Sequence, residues 1–137
     1  MFPQETKFLV VDDFPTVRDF VKVYLRKLGF SNIETTDGAE TALELLKESS
    51  AAGQPFNFII SDWNMSGMTG LEFLKICRQD LDMKDIPFVM LTIEKDLQHV
   101  KEALSAGATD YIVKPVDEGT MKTKLLAIYN RLNSKSA

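Results

Sequence analysis

The sequence predicts an α/β protein: a five-stranded parallel sheet of order 2-1-3-4-5 flanked by five helices, a flavodoxin-like (βα)5 arrangement. Three observations lead there. Four short apolar runs, Phe8-Leu-Val-Val11, Phe56-Asn-Phe-Ile-Ile60, Pro87-Phe-Val-Met-Leu91 and Tyr111-Ile-Val113, are continuous rather than alternating, as strands buried on both faces require. Between them the apolar spacing switches to a helical period, so strands and helices alternate along the chain. The length of 137 residues suits one domain. At this size right-handed crossovers make 2-1-3-4-5 the common strand order.

Taken in order, Phe8 to Val11 opens the sheet. Val17, Phe20, Val21, Tyr24, Leu25 and Leu28 form the first helical stripe, with Gly29 as its stop. Asn32-Ile-Glu-Thr-Thr36 alternates and suits a sheet edge. Ala39, Ala42, Leu43 and Leu46 mark a weaker second helix, followed by the longest loop signal, Ser49 to Pro55. Leu71, Leu74, Cys77 and Leu81 mark a third helix, opened by a Thr69-x-x-Glu72 capping box. Leu97, Val100 and Leu104, stopped by Gly107, mark a fourth. Met121, Leu125, Ile128 and Leu132 mark the fifth, with Asp117 and Thr120 as candidate caps. Asn133 to Ala137 is expected to fray. The expected organisation is a single domain over residues 1–137 with its core over about 6–132.

Composition narrows the function classes. With 45% hydrophobic and 26% charged residues the chain can bury a core. Its 16 basic and 20 acidic side chains give a net charge of −4, which argues against nucleic acid as the main partner. A single Cys permits neither an internal disulfide nor a Cys-based zinc site, and fits a reducing, cytoplasmic setting. A single His excludes multi-His metal sites and makes a Ser-His-Asp enzyme a poor fit. No stretch approaches the roughly 18 to 20 apolar residues of a membrane span, and the N-terminus does not read as a signal peptide.

In a doubly wound sheet ligands bind beyond the carboxyl ends of the strands, at the switch point of the winding. Those ends are Asp12-Asp13, Asp62, Thr92 and Lys114-Pro115. Each alone has an ordinary structural explanation: a turn-forming or capping Asp, a capping Thr, a solvated Lys, with Asp13 before Phe14-Pro15 a candidate cap of the first helix. Their convergence on one cleft has a chemical one. Three clustered carboxylates repel unless a cation sits among them, and hard oxygen ligands with open positions suit Mg²⁺. A carboxylate beside such an ion is a nucleophile toward phosphorus. Asp62, on the central strand, is the best-placed acceptor; Asp12 and Asp13 are then metal ligands, and Thr92 and Lys114 bind the phosphoryl oxygens.

The set Val11-Asp12-Asp13, Ser61-Asp62-Trp63-Asn64-Met65, Leu91-Thr92 and Val113-Lys114-Pro115 resembles the receiver domain of two-component response regulators, most closely single-domain chemotaxis regulators of the CheY type. The likeness runs from about Lys7 to Leu132. It implies that Asp62 takes a phosphoryl group from the phosphohistidine of a sensor histidine kinase. It also implies that Asp12, Asp13, Asp62 and the Asn64 backbone carbonyl surround Mg²⁺, with Thr92 and Lys114 on the phosphoryl group. Tyr111 matches the family's switch aromatic, which turns inward as Thr92 is drawn to the phosphoryl group and remodels the face of helix four, strand five and helix five. Read blandly, Tyr111 is a half-buried strand aromatic. Asn64 and Glu94 occupy positions that tune dephosphorylation in the family. The family's X-Pro bond at the position of Lys114–Pro115 is often cis, which makes this bond a candidate.

Two positions depart from the pattern. Ser66 stands where such domains usually carry proline, which frees the loop after Asp62. Ile93 stands where Ala or Gly is usual and is expected to crowd the entrance to the site. Cys77 reads as a buried structural thiol, His99 as a surface residue of helix four, Trp63 as a lining of the cleft, and Gly38, Gly67 and Gly70 as turn glycines. Lys95, Lys101, Lys122 and Lys124 read as solvated faces bordering the switch surface.

The expected activity is a signalling switch that promotes only its own phosphorylation and dephosphorylation, not a conventional enzyme. Its expected partners are the kinase, a downstream target such as the flagellar motor switch, and a phosphatase. A Mg²⁺-dependent phosphohydrolase is the alternative from another class, although no cap domain or Asp-x-Asp motif around Asp62 supports it. A phosphate sink or phosphorelay intermediate is the alternative within the family.

Overall fold

The computed structural model describes residues 1–93 and 97–135. The elements alternate as β1 (Phe8–Val11), α1 (Pro15–Lys27), β2 (Ile33–Thr36), α2 (Ala39–Ala51), β3 (Phe58–Asp62), α3 (Gly70–Gln79), β4 (Phe88–Thr92), α4 (Leu97–Ser105), β5 (Asp110–Val113) and α5 (Glu118–Lys135). All strand pairs are parallel and the sheet order is β2-β1-β3-β4-β5, as the sequence predicts. Val11 pairs with Thr36 on one side and Ser61 on the other, Asp62 with Leu91, and Thr92 with Val113. The carboxyl ends of the strands therefore finish at one edge.

The continuous apolar runs are explained by two separate cores. Leu9, Val11, Ile59, Phe88 and Met90 point to the face covered by α2, α3 and Ala103 of α4. Phe8, Val10, Phe58, Ile60, Val89, Leu91 and Ile112 point to the face covered by α1 and α5. Each such side chain taken fully from water contributes about 1.5–3 kcal/mol, so alternate residues of one strand stabilise opposite layers. At the edge, β2 leaves Glu34 and Thr35 exposed, a charged rim that discourages further strand pairing.

The chain punctuation is mostly as expected. Gly29 and Gly107 follow α1 and α4 with φ of 102° and 106°, a conformation natural only to glycine. Thr69 and Glu72 close their capping box reciprocally. Asp117 accepts the Thr120 N–H at 2.7 Å and its hydroxyl at 3.0 Å, so Asp117 is the cap and Thr120 its partner inside the helix. The Lys114–Pro115 bond is cis.

Several boundaries and faces differ from expectation. β3 begins two residues late, because Asn57 is used to hold the start of β1: its Oδ1 accepts the Lys7 N–H at 2.8 Å. α2 continues to Ala51, taking Ser49 and Ser50 into the helix and shortening the loop. α3 stops at Gln79, leaving Leu81 86% exposed while Met83 fills the core instead. Phe20 lies outside the α1 stripe, exposed and stacked on Tyr24. In α4 the small Ala103 meets the sheet, which turns Leu97 and Leu104 outward, at 71% and 45% exposure. Leu132 is likewise exposed, and α5 stays helical through Lys135, with Ser136 and Ala137 outside the described residues. Packing also starts before residue 6, since Phe2 meets Phe58 and Tyr129 edge-on. Arg78 ties two connections together: its Nε donates to the Gly107 carbonyl at 2.8 Å and its Nη1 to the Ile86 carbonyl at 2.8 Å.

Candidate functional site

The edge formed by the strand ends gathers four of the predicted residues. Asp12 and Asp13 follow β1, Asp62 ends β3, and Lys114 follows β5. The three aspartates each offer one carboxylate oxygen, all within 4.8 Å of one another. Lys114 Nζ lies 2.9 Å from Asp12 Oδ2 and 3.1 Å from Asp62 Oδ1. Asp12 and Asp62 are buried, and the Lys114 side chain is nearly so. Sequence distance hid this group; parallel register created it.

Asp12 is held at both its side chain and its backbone. Its Oδ1 accepts the Phe14 N–H at 2.9 Å, while Arg18 Nη1 donates to its backbone carbonyl at 2.6 Å. The start of α1 rules out the capping alternative for Asp13: Phe14 is the N-cap, and Pro15 begins the helix. Asp13 is thereby freed from capping. Its Oδ1 is buried without a hydrogen-bond partner among the described residues, an arrangement that costs free energy unless a cation or water meets it.

Charge and burial set the ionisation. Burial, then the charge of Asp12, push the Asp62 carboxyl above its ordinary pKa against the opposing pull of Lys114. Burial lowers the Lys114 pKa, but its contacts with Asp12 and Asp62 outweigh that and leave it raised, so the ammonium stays charged. One cation among three carboxylates leaves an excess of negative charge. Oxygen donors alone, an orphaned carboxylate oxygen and that excess charge fit Mg²⁺. Asp12, Asp13 and Asp62 are the side chains that would hold it. The Asn64 N–H hydrogen-bonds Asp62, which keeps this exposed residue of the following loop beside the acceptor.

Other predicted residues sit around this group. Thr92 is buried at the end of β4, and its carbonyl accepts the Lys114 N–H at 2.7 Å. Tyr111 lies within β5 opposite Met90, half-buried, with Lys124 Nζ 4.3 Å from its ring centre. Lys124 also pairs with Asp110 at 3.0 Å, so it is not a merely solvated lysine; Lys101 and Lys122 are exposed. Glu94 and Lys95 lie outside the described residues. Trp63 is buried and stacks on His99 of α4 at 4.8 Å, so His99 is half-covered rather than a plain surface residue. Cys77 is buried, and burial pushes its thiol up to about 12.

Ile93 is 61% exposed and lines a groove of about 490 Å³ with Val17, Phe20, Tyr24 and Pro115. Among the described residues, Lys114 alone joins the groove to the carboxylate group. Two glycines read as turn formers have different roles. Gly38 caps α2 in extended backbone, whereas a Cβ at Gly70 would overlap the carbonyl oxygen of Asp62. Sequence reasoning missed Gly70's close approach, Arg18 and Glu40. The last accepts the Met68 N–H at 3.0 Å from across the α2–α3 interface, and its only sequence signal is an acidic residue in a first helical turn.

The profile of the response regulator receiver domain matches residues 8–126. Chemotaxis protein CheY-3 of Vibrio cholerae is 44% identical over 126 residues, spanning 92% of this chain and 93% of its own. Chemotaxis protein CheY of Pseudomonas aeruginosa is 40% identical over 127 residues, spanning 93% of this chain and 98% of its own. The solved structure of chemotaxis response regulator CheY4 of Vibrio cholerae aligns with a TM-score of 0.78 at 35% identity, over 90% of this chain and 98% of that one.

Proposed function

Because the chain belongs to the response regulator receiver domain family, we propose that it is a phosphorylation-driven switch of chemotaxis signalling with Asp62 as phosphoacceptor. The observation that carries this reading is Lys114 Nζ set between Asp12 and Asp62 at 2.9 and 3.1 Å, with Asp13 beside them. An Asp62 oxygen attacks the phosphorus of a phosphohistidine on a sensor histidine kinase. The P–O bond forms as the P–N bond breaks, and the electron pair leaves with the imidazole. Asp12, Asp13, Asp62 and the Asn64 carbonyl would hold a Mg²⁺ ion, which would supply charge neutralisation for the phosphoryl oxygens. Lys114 exchanges its contact with Asp62 for one with a phosphoryl oxygen, and the Thr92 hydroxyl takes another. Water later attacks phosphorus, the bond from Asp62 oxygen to phosphorus breaks, and inorganic phosphate leaves as the carboxylate is restored; Asn64 and Glu94 orient that water and set the lifetime.

The charge added at Asp62 biases the output face. Drawing Thr92 toward the phosphoryl group lets Tyr111 turn inward from its half-buried position and changes the surface of α4, β5 and α5. Taking that equilibrium from 1:99 to 99:1 requires about 5.5 kcal/mol of differential stabilisation, which a phosphoryl group of charge −1.5 to −2 held by a cation, Lys114 and Thr92 is of the size to supply. The chain acts as one receiver domain in the cytoplasm and signals by contact, with the flagellar motor switch as target and a phosphatase as terminator. No described helix is long and apolar enough to cross a membrane.

Incubation with acetyl phosphate and Mg²⁺ tests the reading. One phosphoryl group per chain, absent in Asp62→Asn, is expected; turnover of phosphoesters, or no modification, refutes it. A pull-down comparing phosphorylated and unphosphorylated protein then identifies the target.

A further inference from the structure

We propose that Glu40 is a positioning residue for the Asp62 site: from the first turn of α2 it holds the β3–α3 loop in the shape that completes the cation site. The inference rests on the reading of Asp62 given above and deepens it. The loop is fixed at both ends. The Gly70 N–H donates to the Trp63 carbonyl at 2.8 Å, and Gly70 itself packs against the Asp62 carbonyl. Between these points Asn64, Ser66 and Gly67 are exposed. Proline would fix φ in this segment; Ser66 leaves it free.

The restraint comes instead from another element. Glu40 Oε1 accepts the Met68 N–H at 3.0 Å. It also fills the space beside Gly67, where a Cβ would stand 2.9 Å from Oε1; Gly67 has φ of 79°. The carboxylate therefore holds the amide it binds and lies close beside the residue before it. Hydrogen bonds from its own N–H and from Met68 hold the Glu40 carboxyl below the ordinary range, so the acceptor is an anion at neutral pH. A first-turn acid needs no such partner merely to complement the helix dipole. Met68 lies four residues along the chain from Asn64, whose N–H meets Asp62. Releasing Met68 loosens Asn64 while leaving Asp12, Asp13, Asp62 and Lys114 in place. Cation affinity is the quantity that should suffer, and the transfer step at saturating cation should not.

Titration of the wild-type protein with Mg²⁺, followed by Trp63 emission, provides the test. Glu40→Ala is expected to weaken Mg²⁺ binding on the order of 10-fold, as for outer partners of other metal sites. Glu40→Gln retains an acceptor oxygen and should stay within about 3-fold of wild type. The phosphorylation rate with acetyl phosphate at saturating Mg²⁺ should match wild type in both variants, and amide exchange at Met68 should accelerate in Glu40→Ala alone. Unchanged Mg²⁺ affinity in Glu40→Ala overturns this inference by itself, as does an equal loss of rate at saturating Mg²⁺. A wild-type protein whose emission and stability both ignore Mg²⁺ overturns the reading of the site and this inference together.

Discussion

Replacing the proposed acceptor should make the metal-free protein more stable. Asp62 carries a charge within 4.8 Å of two others of the same sign and 3.1 Å from one of opposite sign. At an effective dielectric of about 20, each repulsion is worth about 3.5 kcal/mol and the attraction to Lys114 about 5.4 kcal/mol. The repulsions win by about 1.5 kcal/mol, and desolvation of the buried carboxylate adds to that. Asp62→Asn keeps the shape and removes the charge, so it should stabilise folding by about 1–2 kcal/mol at neutral pH. With a urea slope of about 2 kcal/mol/M, that raises the midpoint by about 0.7 M. The sign with pH follows from the raised Asp62 pKa. The cost of ionisation is absent below the unfolded value, grows as pH rises through the folded value, and is constant above it. The gap between the proteins should therefore close on acidification. Mg²⁺ should close it too, since ligand at 100 times its dissociation constant stabilises the wild type by about 2.7 kcal/mol and the variant by less. Urea unfolding with and without Mg²⁺ measures all of this. An Asn variant that is less stable without Mg²⁺, or equal gains from Mg²⁺ in both proteins, refutes the electrostatic reasoning.

Three further perturbations have defined outcomes. Ile93→Ala, at the rim of the groove beside Lys114, should speed phosphorylation by small donors or hydrolysis of the phosphorylated protein; rates equal to the parent's sink the idea of crowding. Gly70→Ala forces a methyl onto the Asp62 carbonyl and should cost about 1–3 kcal/mol in urea unfolding together with weakened Mg²⁺ binding; a variant with native stability shows that the loop yields freely. Cys77 should resist alkylation in the native protein at pH 8. Because its thiol keeps its proton to about 12 when folded, stability should fall above the unfolded thiol's range by up to about 1.4 kcal/mol per pH unit, a loss absent in Cys77→Ala. Stoichiometric labelling of the folded protein contradicts this.

Strand identity and order were readable because burial on both faces leaves uninterrupted apolar runs, and the parallel order then dictates that Asp12, Asp62 and Lys114 meet. What escaped depended on partners distant in sequence. Asn57 belongs to the loop because its amide serves β1, not because of its own preference. Spacing could not tell that Ala103 rather than Leu97 and Leu104 would face the sheet, since the contact favours the smaller side chain. The capping alternative for Asp13 could be dismissed only by the helix start, which falls at Pro15 with Phe14 as N-cap. Glu40 and Gly70 act on a backbone segment, and nothing in a side-chain pattern marks a backbone amide or carbonyl as the thing contacted.

The contact of Arg78 with the Gly107 carbonyl makes α4 a lever with a fixed fulcrum. Nine residues give an arm of about 13.5 Å. A tilt of ~10° about the held end swings the opposite end by about 2.3 Å, while the Arg78 end hardly travels. The swinging end carries Leu97, outward and uncovered, and His99, resting on the indole of Trp63. Displacement of the Trp63 ring is thus felt directly at the Leu97 end of α4, and little of it reaches the end that Arg78 holds.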